Sequence, residues 1–237
     1  MKSIPPLNLE IERVYAQLQA TAVRSIAITS ANAGEGVTSL ALALAQRSLL
    51  AGNSTLIVDL NLYHPSLKGM LEIDESNNQT LLNSPQLIGS ESQEIVVTGI
   101  TVPTQREVTM KLRQTGVLEQ CIAELCNQYD CVIFDTTPIN RINANNIPAE
   151  RVAAACDGTL LTVLAGSTTE SMVSNAIKKL NAAGGQLLGC VINDRDNPLL
   201  KDELLRETKR LPRALHRVGH WLKKQIRDNR LLSLERY

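Results

Sequence analysis

Residues 30–40, SANAGEGVTSL, hold the spacing in this chain that is most specific for chemistry. Gly34 and Gly36 alternate with Glu35 and are followed by Val37, Thr38 and Ser39; a strand-like RSIAITS leads in and a helix-like LALALAQ leads out. A loop of this kind holds phosphate because successive backbone N–H groups and a helix N-terminus converge on the anion. A lysine adds charge, and a Ser/Thr hydroxyl reaches a magnesium ion. Against the pattern G-x-x-x-x-G-K-[ST] the chain offers Ala31, Gly36, Val37 and Thr38. The backbone cradle and the hydroxyl are kept, and the lysine is lost.

Other reactive residue types are less informative. Cys121, Cys126, Cys131, Cys156 and Cys190 form no CxxC pair and no zinc-type spacing. They read as reduced core residues, since a buried free thiol behaves as a small hydrophobe. His216 and His220 stand one helical turn apart without carboxylates or cysteines nearby, so a solvated helix face is the simpler reading than a metal site.

Positioning the loop requires a sheet. SIAIT (25–29), STLIVDL (54–60), DCVIFD (130–135), GTLLTVLA (158–165) and QLLGCVIND (186–194) are continuous apolar runs. Helical patterns over 9–20, 38–51, 115–128, 147–155 and 169–183 alternate with them. Such runs imply strands buried on both faces, hence an α/β fold with a mostly parallel central sheet and helices on either side. Residues 61–110 are polar and irregular, with one short strand expected over 94–100. Helices are also expected over 199–209 and 213–228, which divides the chain into a domain of residues 1–198 and a helical tail of residues 199–237.

With 237 residues, 43% of them hydrophobic, the chain can bury one full core. No apolar run approaches the roughly 20 residues of a membrane-spanning helix, and the first residues lack a signal-type apolar segment, so the expected location is the cytoplasm. A net charge of zero conceals an asymmetry: residues 1–200 carry 13 Lys+Arg against 19 Asp+Glu, and residues 201–237 carry 11 against 5. Leu215, Val218, Leu222 and Ile226 fall on one stripe of the 213–228 helix beside Trp221, with Arg213, Arg217, Lys223, Lys224 and Arg227 largely elsewhere. That basic amphipathic helix either docks on the body with its charges in water or lies on an anionic membrane surface. Nucleic acid is a poor partner, because the body is acidic and the basic stripe lacks interleaved aromatics.

The order AITSANAGEGVTSLALALA, LIVDLNLYHPSL, YDCVIFDTTP, CDGTLLTVLAGSTTESMVSNAIKKL, LLGCVIND resembles the cytoplasmic domain of the bacterial tyrosine kinases of capsule and exopolysaccharide export, within the MinD/ParA-like P-loop class. The resemblance implies ATP or ADP with magnesium as cofactor. It implies magnesium-shell roles for Thr38, Asp59 and Asp135, the two aspartates being also the catalytic candidates of an active enzyme, and an adenine contact at Asn193. It further implies a membrane-embedded polysaccharide synthesis or export protein as partner, and a homodimer.

Several positions depart from that family's pattern. In the D-x-D-x-R-x-P segment Asp59 and Pro65 match, whereas Asn61 and Tyr63 replace the second aspartate and the arginine. An amide neither supplies a carboxylate's charge nor accepts a tyrosine proton. Asn32 stands at the second lysine position of the class; Arg13, Ala16 and Gln19 depart from the oligomerising E-x-x-R-x-x-R helix; only Tyr237 stands where a terminal tyrosine cluster is expected. Arg24 or a partner's arginine is a candidate substitute cation. The expected protein is therefore a weakly enzymatic or non-enzymatic relative that regulates or scaffolds polysaccharide synthesis or export at the inner membrane. An active tyrosine autokinase or MinD/ParA-like ATPase with a rearranged site is the alternative. A third reading leaves no ligand at all: Thr38 caps and packs a helix, and both aspartates satisfy loop amides.

Overall fold

The computed structural model describes residues 4–62, 64–65, 67, 82, 85–88, 96–101, 105–141, 146–196, 204, 208 and 222–226. Backbone proximity divides the chain into two units, Met1–Asn193 and Asp194–Tyr237.

In chain order the first unit runs α1 (Leu9–Ala20), β1 (Ser25–Ser30), α2 (Val37–Leu50), β2 (Thr55–Asp59), β3 (Gln86–Ile88), β4 (Val97–Thr101), α3 (Arg106–Leu112), α4 (Val117–Gln128), β5 (Cys131–Asp135), α5 (Ala149–Ala155), β6 (Gly158–Leu164), α6 (Glu170–Ala182) and β7 (Leu187–Asn193). The seven strands lie in the order β3-β4-β2-β5-β1-β6-β7. Every neighbouring pair is parallel except β3 with β4, which places one antiparallel strand at the edge.

Side chains of successive strand residues leave opposite faces of the sheet, and here both faces are apolar. Ile26, Ile28, Ile57, Ile133 and Leu160 join Ile11 and Leu18 of α1 and Leu40 and Leu44 of α2 in one core. Ala27, Leu56, Val58, Val132, Phe134 and Leu161 join residues of α3, α4, α5 and α6 in the other. Strands buried on both sides lose the polar alternation of a half-exposed sheet, which is why they read as unbroken apolar runs. Helix α2 is sandwiched between the sheet and α1, and its Ala- and Leu-rich sequence buries residues on most of its circumference.

Local chemistry sets the ends. The Asn8 side chain caps α1 by accepting the Glu10 N–H at 2.8 Å, and Glu119 closes the start of α4 on the Gly116 N–H at 2.9 Å. Gly184, with φ 84, lets the chain leave α6 in the left-handed region, as the Gly-Gly pair predicts. At the amino edge of the sheet Asp157 accepts the N–H groups of Arg24 and Ser25, and these bonds hold its carboxyl below the usual range despite partial burial.

The expected elements appear within a residue or two of their places, with three corrections. The irregular segment 61–110 also contains β3 and the start of α3, neither of which its polar composition suggests. The short strand lies at Val97–Thr101 rather than 94–100. Among the cysteines only Cys156 is buried: Cys121, Cys126 and Cys131 are half-buried, and Cys190 is exposed because β7 is an edge strand with one neighbour. All five thiols are free, and no group of His, Cys, Asp and Glu among the described residues could hold a metal as a ready-made cluster.

In the second unit, residues 222–226 are helical, with Ile226 buried and Lys224 and Gln225 exposed. Most of the expected 199–209 and 213–228 helices, with Trp221, His216, His220 and Tyr237, lies outside the described residues, as does Tyr63. No helix among the described residues is long and apolar enough to cross a membrane.

Candidate functional site

Four strands deliver their carboxyl ends to one region. β1 runs into the loop 31–36, β2 ends in Asp59, β5 ends in Asp135 and β7 ends in Asn193. Clefts of parallel sheets lie at this edge, where neighbouring crossovers leave in opposite directions.

The loop turns on its glycines. Gly34 has φ 81, and Gly36, with φ 98, is the residue from which α2 starts. Gly36 is also sterically required, since a Cβ there would lie 2.5 Å from Asn193 Nδ2. The same Asn193 amide donates to the Glu35 carbonyl at 3.0 Å, which fastens the end of β7 to the loop. Gly36→Ala must therefore shift both the backbone and Asn193. We expect it to lower stability by about 1–2 kcal/mol, read as a lower urea midpoint at unchanged slope.

The charged side chains take unexpected orientations. Glu35 is buried, and its carboxylate accepts the Ala31 N–H (3.0 Å), the Asn32 amide (3.0 Å) and the Thr168 hydroxyl (2.6 Å). What Glu35 can offer a ligand is thus its backbone. Val37 is only 8% exposed and belongs to the apolar core of the α1–α2 face. Asn32, at the second lysine position, is engaged with Glu35 and with the Met172 sulfur. Arg24 does not supply the missing cation: it lies at the start of β1, at the opposite edge of the sheet, and its guanidinium donates to the carbonyls of Cys126 and Tyr129. Ser39 is half-buried in the first turn of α2.

Asp59 and Asp135 are register partners on adjacent parallel strands. Asp59 accepts the N–H groups of Asn61 (2.9 Å) and Leu67 (3.0 Å), so it does satisfy loop amides. Asn61 in turn accepts the His64 N–H through its side-chain oxygen, a turn-forming role that needs no charge. Asp135 behaves differently. It is fully buried, and neither carboxylate oxygen has a hydrogen-bond partner of normal geometry. Burial, followed by the neighbouring Asp59 charge, pushes its carboxyl up to about 8, partly opposed by the Thr38 hydroxyl.

Unpartnered buried carboxylate oxygens are rare and call for an explanation. A hard divalent cation accepting oxygen ligands directly or through water would relieve the burial cost and the repulsion together. Thr38, Asp59 and Asp135 therefore fit magnesium. Phosphate is served less well, because backbone amides and the helix N-terminus remain but no described lysine or arginine side chain is bonded within the loop. Thr168 is a part of the site that the sequence reading missed. Its only local signal is the Thr-Thr pair before α6.

No protein-family profile matches the chain. Sequence relatives include the tyrosine-protein kinase CpsD of Streptococcus agalactiae, 28% identical over 190 residues that cover 76% of this chain and 80% of that one. Among solved structures, the VpsO kinase domain superposes with a TM-score of 0.59 at 18% identity, covering 78% of this chain and 92% of that one. Cobyrinic acid a,c-diamide synthase from Mycobacterium smegmatis, with bound ATP analog and magnesium, superposes with a TM-score of 0.54 at 18% identity, covering 80% of each. The chain is thus similar in sequence to bacterial tyrosine-protein kinases and shares the α/β fold of these kinase and synthase structures.

Proposed function

We propose that this protein is a charge-depleted relative of the capsule- and exopolysaccharide-type tyrosine kinases that binds magnesium nucleotide weakly, transfers phosphate very slowly, and acts chiefly as a regulatory or scaffold partner. The observation that carries this reading is Val37. An apolar side chain buried in the core stands at the position of the cation that phosphoryl transfer uses. Removing one positive group from a transferring phosphoryl costs about 10³–10⁵ in rate in the arginine-finger systems.

The candidate binding set is the loop backbone from Gly34 to Ser39, with Asn193 toward the base and Thr38, Asp59 and Asp135 toward magnesium. Bound there, the metal would supply charge neutralisation for the phosphate oxygens; the chain itself would supply the amides, the helix N-terminus and the shape of the cleft. The proposed partner is a polysaccharide synthesis or export protein of the inner membrane. A second copy of the chain and an anionic lipid surface contacted by residues 213–228 are further proposed contacts, with the body cytoplasmic. Its likeness to the CpsD kinase and the basic amphipathic tail support this placement.

The test is calorimetry with ATP and ADP plus magnesium, paired with incubation in radiolabelled ATP. We expect measurable but weak binding and no phosphotyrosine. Strong labelling of Tyr237 or Tyr63 would overturn the reading. One observation favours an active enzyme instead: Asp135, with no hydrogen-bond partner of normal geometry, stands beside Asp59, as a magnesium site would require. That reading requires hydrolysis above buffer that Asp59→Ala abolishes.

A further inference from the structure

Glu35 is a buried carboxylate in a surface loop, and no cation is bonded to it among the described residues. Removing a carboxylate from water is costly unless hydrogen bonds replace the lost hydration. Here three donors do so, two from the start of the loop and one from the β6–α6 turn. Oε2 accepts the Ala31 N–H at 3.0 Å, and Oε1 accepts both the Asn32 amide at 3.0 Å and the Thr168 hydroxyl at 2.6 Å. The last distance is that of a charge-assisted O–H···O bond. Thr168 is itself fixed at the β6–α6 turn, where its hydroxyl oxygen accepts the Leu164 N–H at 3.2 Å and its own N–H donates to the Leu164 carbonyl at 2.9 Å. The Glu35 carbonyl accepts Asn193 Nδ2 at 3.0 Å from the end of β7.

Two long-range tethers of the loop thus pass through one residue. The side chain points back to the start of the loop and across to β6, while the main chain holds β7. We propose that Glu35 is a positioning residue that holds the phosphate loop in its observed shape before any ligand arrives, fastening it to the β6–α6 turn through Thr168 and to the β7 end through Asn193. The lock stands on this geometry alone; its consequence for ligand affinity rests on the nucleotide reading above. A loop already held in shape binds its ligand without first losing conformational freedom. Preorganisation of this kind compensates in part for the absent cation.

Glu35→Gln removes the charge and, whichever way its amide turns, sets its NH2 against a donor, either the Ala31 N–H or the Asn32 amide. Asn32→Asp combined with Glu35→Gln exchanges donor and acceptor and restores the pair. Thr168→Val removes the tether to β6 while leaving Glu35 charged, at the cost also of the bond from the Leu164 N–H. The experiment is amide hydrogen exchange over residues 31–38 in ligand-free protein, followed by calorimetry with Mg-ADP. Local opening is the process that exchange reads, so Glu35→Gln and Thr168→Val should each accelerate exchange in the loop by about tenfold or more. The double variant should bring it back toward the parent rate, and Mg-ADP affinity should follow the same order. Loop exchange within about twofold of the parent in Thr168→Val and Glu35→Gln, or failure of the double variant to rescue, would overturn the lock. If Glu35→Gln does not fold, Thr168→Val alone decides by the same criterion. Parent protein that binds no Mg-ADP refutes the nucleotide reading, while the ligand-free exchange still decides the lock.

Discussion

Val37→Lys is expected to raise affinity for Mg-ADP and Mg-ATP by about tenfold or more, since a charge-assisted hydrogen bond to phosphate contributes about 1.5–3 kcal/mol. The loop backbone is shaped by Gly34 and Gly36, so on the proposed reading the substitution adds charge to an existing backbone cradle. The cost falls on the fold. Val37 is 8% exposed and packs in the core that α1 and α2 share, and a lysine must thread its aliphatic stem past that surface to reach the cleft. A loss of about 1–2 kcal/mol in ligand-free stability is the expected accompaniment. Calorimetry and urea denaturation on the same samples separate the two effects. Unchanged affinity in a folded variant would mean that charge is not what the site lacks, and the active-enzyme reading would then have to find its cation elsewhere.

The second large effect concerns Asp135. Its carboxyl is raised to about 8 in the folded protein, by burial first and then by the charge of Asp59. A carboxyl raised on folding binds its proton more tightly in the native state than in the unfolded chain. Stability therefore falls as pH rises from about 4, the unfolded value, to about 8, and this group contributes no further change above that. In the absence of metal, Asp135→Asn should leave stability near the parent value at pH 5. At pH 9 it should stabilise the protein by about 1–3 kcal/mol, because the variant no longer buries a carboxylate with no partner. Magnesium with nucleotide should reverse the order, stabilising the parent and leaving Asp135→Asn unaffected. Urea denaturation at pH 5, 7 and 9, with and without Mg-ADP, reads all of this. Parent stability that is flat between pH 5 and 9 would remove the basis for assigning Asp135 to the metal.

The two predictions probe separate halves of one site. Lysine at position 37 tests the phosphate side, and Asp135 tests the metal side. On the proposed reading the chain lacks the first and keeps the second, and it would then differ from an inert fold, because a buried carboxyl without a hydrogen-bond partner of normal geometry is a cost that nothing in the sheet requires. A protein that had shed its ligand altogether would be expected to relieve that cost by neutral substitution.

The sequence by itself determined the strands, the helices and the sheet's double burial, because periodicity is a local property: Ile26–Ile28, Leu56–Val58 and Val132–Phe134 are apolar at every position only if both faces are covered. It also determined that residue 37 is not a cation and that Asp59 and Asp135 each end a strand, whereas the fold made those strands neighbours. Tertiary structure alone decided what those groups do. Asp59 accepts the amides of Asn61 and Leu67, Asp135 has no hydrogen-bond partner of normal geometry, and Arg24 is carried to the far edge of the sheet. Glu35 shows the limit most clearly: its partner Thr168 is 133 residues away, so no local pattern could reveal that a loop carboxylate faces inward. Burial and hydrogen bonding depend on which segments the sheet brings together, and a one-dimensional spacing does not contain that information.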